Sequence, residues 1–104
     1  MTEITTYINH NYKSNLTLAT ISEIFFISPG YFSRSFKKIT GFSFIEYLNN
    51  VRIREAQLLL RETNTKVIDI AEQSGFESIA HFGRVFKQFT KQSPNVYRKV
   101  MRMR

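Results

Sequence analysis

The sequence of 104 residues contains no cysteine and no tryptophan, only two prolines and only four glycines. Without cysteine, neither a disulfide framework nor a thiolate zinc site can form, and this excludes zinc fingers. The longest apolar runs, Ile24–Ile27 and Leu58–Leu60, are far shorter than the roughly 20 residues that cross a bilayer. The N-terminus also lacks the basic and apolar segments of an export signal. We therefore expect a cytoplasmic protein with no membrane partner.

The patterns of catalytic and cofactor-binding sites are missing as well. The sequence shows no set of Ser, His and Asp, no glycine-rich phosphate loop and no suggestive pair of carboxylates. Its two histidines, His10 and His81, are far apart in sequence and have no carboxylate cluster beside them, so neither is expected to bind a metal. We predict a protein that is not an enzyme and needs no cofactor.

Positive charge is abundant, because 15 Lys and Arg against eight Asp and Glu leave a net charge of +7. Such an excess indicates a polyanionic partner, either a nucleic acid or an anionic membrane surface. The plainer interpretation is a basic surface that only keeps the protein soluble. Hydrophobic residues make up 42% of the chain, which is enough to form the core of one compact domain.

The spacing of apolar residues predicts an all-α fold. They recur mostly at three and four positions, as on one face of a helix. Helix starts are predicted at Thr17, at Ser28 followed by Pro29, and at the capping box of Ser43 and Glu46. On the third helix we expect Phe32, Phe36 and Ile39 to face inward. The long fourth helix should serve as a connector, dividing the chain into residues 1–42, 43–61 and 62–104, of which the first and last are called here the first and second units.

An internal repeat relates these two units. Seven residues recur with identical type fifty positions later, at 32, 34, 36, 37, 40, 43 and 47 in the first copy. The helix before each copy also matches, but with an offset one residue shorter. The turn after that helix therefore contains one inserted residue in the second copy. Each copy is thus a short helix, a tight turn and a helix with an aromatic inner stripe and a basic outer face. We expect the aromatic residues to form core rather than a base-stacking platform, including Phe82, Phe86, Phe89, Tyr47 and Tyr97.

This arrangement favours DNA recognition. The major groove of B-DNA admits one helix, whose first residues meet base edges while later basic residues and helix-start amides meet phosphates. A rigid connector that holds two such helices about 34 Å apart would let one chain enter two successive major grooves.

At this point the chain resembles a known family. The run from Ser28 to Lys38, together with Ala71, Gly75, Phe76, Pro94 and Tyr97, is similar to the AraC/XylS family of bacterial regulators. The resemblance implies about seven helices, two helix-turn-helix subdomains joined by a linker helix, and promoter binding in the nucleoid. It further implies contacts with RNA polymerase that activate transcription, and a sensing or dimerisation domain supplied by the full-length protein.

The chain departs from the family pattern in both units. Phe26 stands where a small turn residue, often Gly, is usual, which predicts a wider turn or an additional buried aromatic; Ser22 replaces the usual Ala. In the second unit Lys91 stands where the first has Gly41, so a left-handed lysine is expected, at a cost of about 1 kcal/mol.

The candidate DNA-binding residues divide into two sets. Arg34 is the strongest candidate for base contact, because a guanidinium can bond guanine with two hydrogen bonds; a surface or phosphate-bound Arg34 is the alternative. The full set of base-contact candidates is Gly30, Tyr31, Ser33, Arg34, Ile79, Ala80, His81 and Arg84. The phosphate-contact candidates are Ser28, Lys37, Lys38, Ser78, Lys87, Lys91 and Arg98.

Two other functions remain open on the sequence alone. The chain could be a basic helical module that binds a protein such as RNA polymerase, with its helix-turn-helix units used only as scaffold. Peripheral membrane attachment would require a broad exposed apolar helix face, and the apolar stripes here are expected to be used by the core.

Overall fold

A computed structural model describes residues 1–103, which form seven α-helices and no strand. They are α1 (Thr2–Asn11), α2 (Leu18–Ile24), α3 (Pro29–Thr40), α4 (Phe44–Glu62), α5 (Val67–Gln73), α6 (Ile79–Thr90) and α7 (Pro94–Arg102). The molecule is elongated, with extents of 46 × 22 × 22 Å. The predicted all-α class and the long connector helix are confirmed. None of these helices within residues 1–103 combines the length and the apolar character that a membrane crossing requires.

Side-chain caps fix the predicted helix starts. The Oγ of Ser28 accepts a hydrogen bond from the amide of Tyr31 at 3.2 Å. At the start of α4, the Glu46 amide donates to Ser43 Oγ at 3.1 Å and the Ser43 amide donates to Glu46 Oε1 at 2.9 Å. That backbone donor lowers the pKa of the Glu46 carboxyl. Each cap satisfies amides that the first helical turn leaves without partners.

Two separate hydrophobic cores form, one in each unit. The first core contains Ile4, Ile8, Leu16, Ile21, Phe32, Phe36, Phe44 and Leu48. The second contains Ile53, Ala56, Leu60, Ile70, Ala71, Phe76, Phe82, Val85, Phe86 and Tyr97. Helix α4 therefore contributes its N-terminal half to one core and its C-terminal half to the other. The four phenylalanines at the centres of α3 and α6 are fully buried, as the repeat predicted.

Two residues expected in the core are not there. Ile39 is 64% exposed and Phe89 is 41% exposed. They occupy equivalent positions, fifty residues apart, in the last turns of α3 and α6, one turn beyond the buried pairs, where no partner helix covers them. Tyr47 is only partly buried against the first core. The helical spacing was correct, but it did not show where the neighbouring helices end.

The turns of the two units differ in which residue adopts a left-handed conformation. In the turn between α2 and α3, called here the first turn, Phe26 has a φ of 56° and is 94% exposed. The expected burial of an additional aromatic is therefore wrong. In the turn between α5 and α6, called here the second turn, the equivalent residue is Gly75, with a φ of 95°. After α3 and α6 the assignment is reversed: Gly41 has a φ of 82° and Lys91 a φ of 67°, the latter as predicted.

Candidate nucleic-acid interface

Helix α3 presents its predicted base-contact residues to solvent. Gly30, Tyr31, Ser33 and Arg34 are all exposed, while Phe32 and Phe36 hold the opposite face in the core. A Cβ built on Gly30 would lie 3.2 Å from Nη1 of Arg34. The Arg34 side chain therefore lies back along the helix toward its N-terminal turn, in the direction that helical side chains prefer. Gly30 leaves the space that the guanidinium occupies.

Helix α6 presents the same positions with different chemistry. Ile79, Ala80 and Arg84 are exposed, but His81 is partly buried. Its ring packs edge-on against Phe76, with ring centroids 5.6 Å apart and an interplanar angle of 77°. His81 is thus held against the second core, so its ring is available to a groove over only part of its surface. Arg84 is the freely exposed hydrogen-bonding side chain among these four candidates.

Most of the phosphate-contact candidates surround these helix faces. Neither α3 nor α6 contains an aspartate or glutamate, so the fields of their basic residues are not offset within the helix. The cap residues Ser28 and Ser78 begin the two helices and remain exposed. A helix N-terminus attracts anions through its free amides and its dipole. The exposed lysines of this set are Lys37, Lys38, Lys87 and Lys91.

Arg98 is placed differently from the other phosphate candidates. Its Nε donates to the carbonyl of Leu60 at 3.1 Å, and its Nη2 donates to the carbonyls of Thr63 and Thr65 at 3.2 and 2.6 Å. Burial, and then the nearby charge of Arg102, lower the pKa of this guanidinium. Arg98 therefore satisfies carbonyls at the C-terminal end of α4, which corrects the expectation of a side chain directed at DNA.

The basic C-terminal helix is likewise bonded to the rest of the second unit, through Arg102. Arg102 donates through Nη1 to Oδ1 of Asn64 at 2.8 Å and through Nη2 to the carbonyl of Thr63. These bonds fix α7 to the loop that follows α4. Residue 104 lies outside the described residues.

One buried charge was missed by the sequence analysis. Arg52, in the middle of α4, is only 8% exposed. Burial lowers the pKa of its guanidinium, while the charge of Glu77 opposes that shift. The sequence did contain a signal, because Arg52 is four residues from Leu48 and from Ala56, both of which are buried. A charged residue on the inward stripe of a helix is unusual unless it is paired or hydrogen-bonded.

Comparison with known proteins agrees with this geometry. A family model described as a helix-turn-helix domain matches residues 21–100. The uncharacterized HTH-type transcriptional regulator YijO of Escherichia coli K12 is 39% identical over 93 residues, which cover 89% of this chain and 33% of YijO. The chain thus spans about a third of the length of that relative.

Two solved structures illustrate the shared fold. The C-terminal domain of the two-component response regulator yesN from Fusobacterium nucleatum is 40% identical, with a TM-score of 0.89 and coverage of 91% of this chain and 93% of that one. The DNA-binding domain of the transcriptional factor AdpA, crystallised with a target DNA, has a TM-score of 0.94 and coverage of 98% and 92%, but only 24% identity. The AdpA likeness therefore shows the fold alone.

The family match runs from within α2, through the connector, to within α7, and the duplicated helix pairs on two cores have the architecture that the resemblance implied. The chain belongs to the helix-turn-helix domain family of the AraC type.

Proposed function

We propose that the chain binds double-stranded DNA sequence-specifically, by inserting α3 and α6 into successive major grooves, and thereby regulates bacterial transcription. The observation that supports this function is the duplication of an exposed, acid-free basic helix face, each copy seated on its own core and both joined by one helix. The 19 residues of α4 give a connector of about 28 Å, comparable with one turn of DNA. This function is binding rather than catalysis, and it places the protein at the nucleoid.

The first recognition helix supplies most of the sequence discrimination in this proposal. Arg34 donates two hydrogen bonds to a guanine, while Tyr31 and Ser33 contact neighbouring base edges. Gly30 makes room for Arg34 rather than selecting a base. In α6, Arg84 is the main hydrogen-bonding residue, His81 contributes from its partly buried position, and Ile79 and Ala80 favour thymine methyl groups.

Phosphate contacts position the two helices. The amides at the starts of α3 and α6, with Ser28 and Ser78, hold the DNA backbone near each groove entry. The exposed lysines contribute sequence-independent affinity, in which bound counterions are released from the DNA; they are Lys37, Lys38, Lys87 and Lys91. Arg98 is left out of this set because its donors already bond carbonyls of this chain.

Known relatives support the proposal. YijO is described as an HTH-type transcriptional regulator, and the AdpA complex shows that a domain of this fold can bind a target DNA. We further propose RNA polymerase as a second partner on the DNA, and a sensing or dimerisation domain in the full-length protein. Transcription in vitro from a selected site, with and without the chain, would show activation as a rise in transcript and repression as a fall.

A salt titration tests DNA binding against the alternative of a protein-binding module. Sites are first selected from a random duplex pool, and affinity for the selected site is then measured at several salt concentrations. We expect log affinity to fall linearly with log salt, with a slope of about −0.9 per phosphate contact. Selected sequences should contain two motifs about one helical turn apart. A flat dependence, with no enriched motif, would instead favour the protein-binding function.

A pair of substitutions in α3 separates base recognition from phosphate binding. Arg34→Ala is expected to weaken binding to the selected site by about 1–3 kcal/mol and to relax the preference at one base pair. Lys37→Ala, its matched control on the same helix, should weaken specific and random DNA nearly equally. If both variants lose affinity for the two kinds of DNA in the same proportion, the assignment of base recognition to Arg34 is wrong.

A further inference from the structure

The junction between the two units is polar, although each unit is built on an apolar core. On α4 the last side chain of the first core is Leu48 and the first of the second core is Ile53. Between them lies the buried Arg52. The relative position of the units is therefore not fixed by one continuous hydrophobic core, and other contacts must hold it.

Arg52 ties the connector helix to the first unit. Its Nε donates to the carbonyl of Tyr12 at 2.8 Å, and its Nη2 donates to the carbonyl of Ser14 at 3.0 Å. Both carbonyls belong to the segment that links α1 to α2. Because the guanidinium is planar and its two donors are fixed relative to each other, this pair of bonds sets an orientation as well as a distance.

The same guanidinium also contacts the second unit. Its Cζ lies 5.9 Å from the centroid of the Phe76 ring, which is part of the second core. The preceding residue, Gly75, approaches the first unit directly: a Cβ built there would lie 2.5 Å from the Tyr12 carbonyl oxygen and 2.9 Å from Nε of Arg52. The α1–α2 segment, the connector helix and the second turn thus meet at one point.

We propose that Arg52 is a positioning residue that fixes the distance and rotational phase between α3 and α6, and thereby sets the single spacing of DNA half-sites that the chain accepts. The proposal rests on the proposed function, in which both helices enter DNA at once. One inserted base pair moves the second half-site by about 3.4 Å and rotates it by about 34°. A chain with a rigid junction cannot follow both changes, whereas a chain with a loose junction can.

The first test measures the junction without DNA. Because the sequence has no cysteine, Lys38→Cys and Gln88→Cys, at equivalent exposed positions on α3 and α6, allow two spin labels to be attached and their separation measured by pulsed electron paramagnetic resonance. We expect a narrow distance distribution with Arg52 present and a broad one after Arg52→Met. The matched control is Arg54→Met, an exposed arginine of the same helix, which should leave the distribution narrow. An equally narrow distribution in all three proteins would overturn the proposal.

The second test measures half-site spacing with unlabelled protein. Affinity is determined for the selected site and for the same site with one base pair inserted between its two motifs. For the wild-type protein and for Arg54→Met, the inserted base pair should lower the affinity at least about tenfold, as other disruptions of a site do. For Arg52→Met, the inserted base pair should lower the affinity less than about threefold, compared with the affinity of the same variant for the selected site. A folded Arg52→Met that keeps the full penalty would overturn the proposal, even if its label distances broaden.

The two tests also distinguish the proposal from its premise. If the wild-type protein bound no duplex preferentially, the proposed function would fail, while the label distances would still decide the role of Arg52 at the junction. Circular dichroism checks that Arg52→Met is folded. Should it not fold, Arg52→Gln, a shorter side chain that cannot reach both carbonyls, replaces it in both tests. Retention of the narrow distribution and of the spacing penalty by folded Arg52→Gln would overturn the proposal.

Discussion

The two units share the same order of helices but assign their left-handed positions in opposite ways. In the first unit the residue in the turn before α3 is Phe26 and the residue after α3 is Gly41; in the second unit the equivalent positions, before and after α6, are held by Gly75 and Lys91. All four have positive φ. The conformation is therefore required by the fold, and glycine is only one way to meet that requirement.

What distinguishes the four positions is the space around them. A Cβ on Gly41 would meet nothing within 4 Å, whereas one on Gly75 would collide with backbone of the first unit. Phe26 is almost fully exposed, so its large side chain meets no obstacle. The second turn needs glycine for close approach, and the first turn does not. The following predictions test how the two units differ, in these positions and in DNA recognition, beginning with the largest expected effect.

Gly75→Ala should be the most damaging single change at these positions. The new Cβ would force the Tyr12 carbonyl away and would also sit at a positive φ, so we expect the free energy of unfolding to fall by about 2–4 kcal/mol. Gly41→Ala, which adds only the conformational strain, should cost about 1 kcal/mol. Urea denaturation followed by circular dichroism measures both. Equal losses would show that close packing at Gly75 contributes little.

Arg84→Ala should affect DNA affinity less than Arg34→Ala. Both arginines are exposed at equivalent positions, but Arg34 acts beside Tyr31 and Ser33, whereas the neighbours of Arg84 are mainly apolar. We expect Arg84→Ala to cost about 1 kcal/mol on the selected site, at the lower end of the range for one base-contacting pair. Fluorescence anisotropy titrations at one salt concentration give the comparison. A larger loss for Arg84→Ala would assign the dominant recognition to the second unit.

Phe26→Gly should stabilise the protein slightly. Relief of the left-handed strain favours glycine by about 1 kcal/mol, and part of that gain is offset by the greater freedom of glycine in the unfolded chain. We expect the free energy of unfolding to rise by less than about 1 kcal/mol. Phe26→Ala keeps the strain and removes the ring, so it serves as control. If the alanine variant gained as much stability, the exposed ring would be the source of the instability.

Much of the fold followed from local patterns in the sequence. The Ser28 cap of α3, the capping box of Ser43 and Glu46, and the left-handed Lys91 depend on chemistry within a few residues, which the sequence displays directly. The buried aromatic pairs followed from helical spacing together with the repeat. The same spacing wrongly predicted Ile39 and Phe89 to lie in the core, because their exposure depends on where other helices end.

The candidate site was less predictable than the fold. Exposure of Arg34 and Arg84 followed from the inner stripe opposite them. The inward stripe of α4 indicates that Arg52 is buried, but the bonding partners of Arg52 and Arg98 were beyond local patterns, since each arginine bonds carbonyls more than thirty residues away in sequence. The local sequence around Arg98 does not distinguish a surface arginine from one that binds backbone, and only the three-dimensional packing separates the two.

The sharing of α4 between two cores bears on how the chain denatures. Neither core can unfold without exposing apolar side chains on one half of α4. Exposure of one half destabilises the helix on which the other core also depends. We therefore expect the two units to unfold in a single cooperative transition, although each has a hydrophobic core of its own.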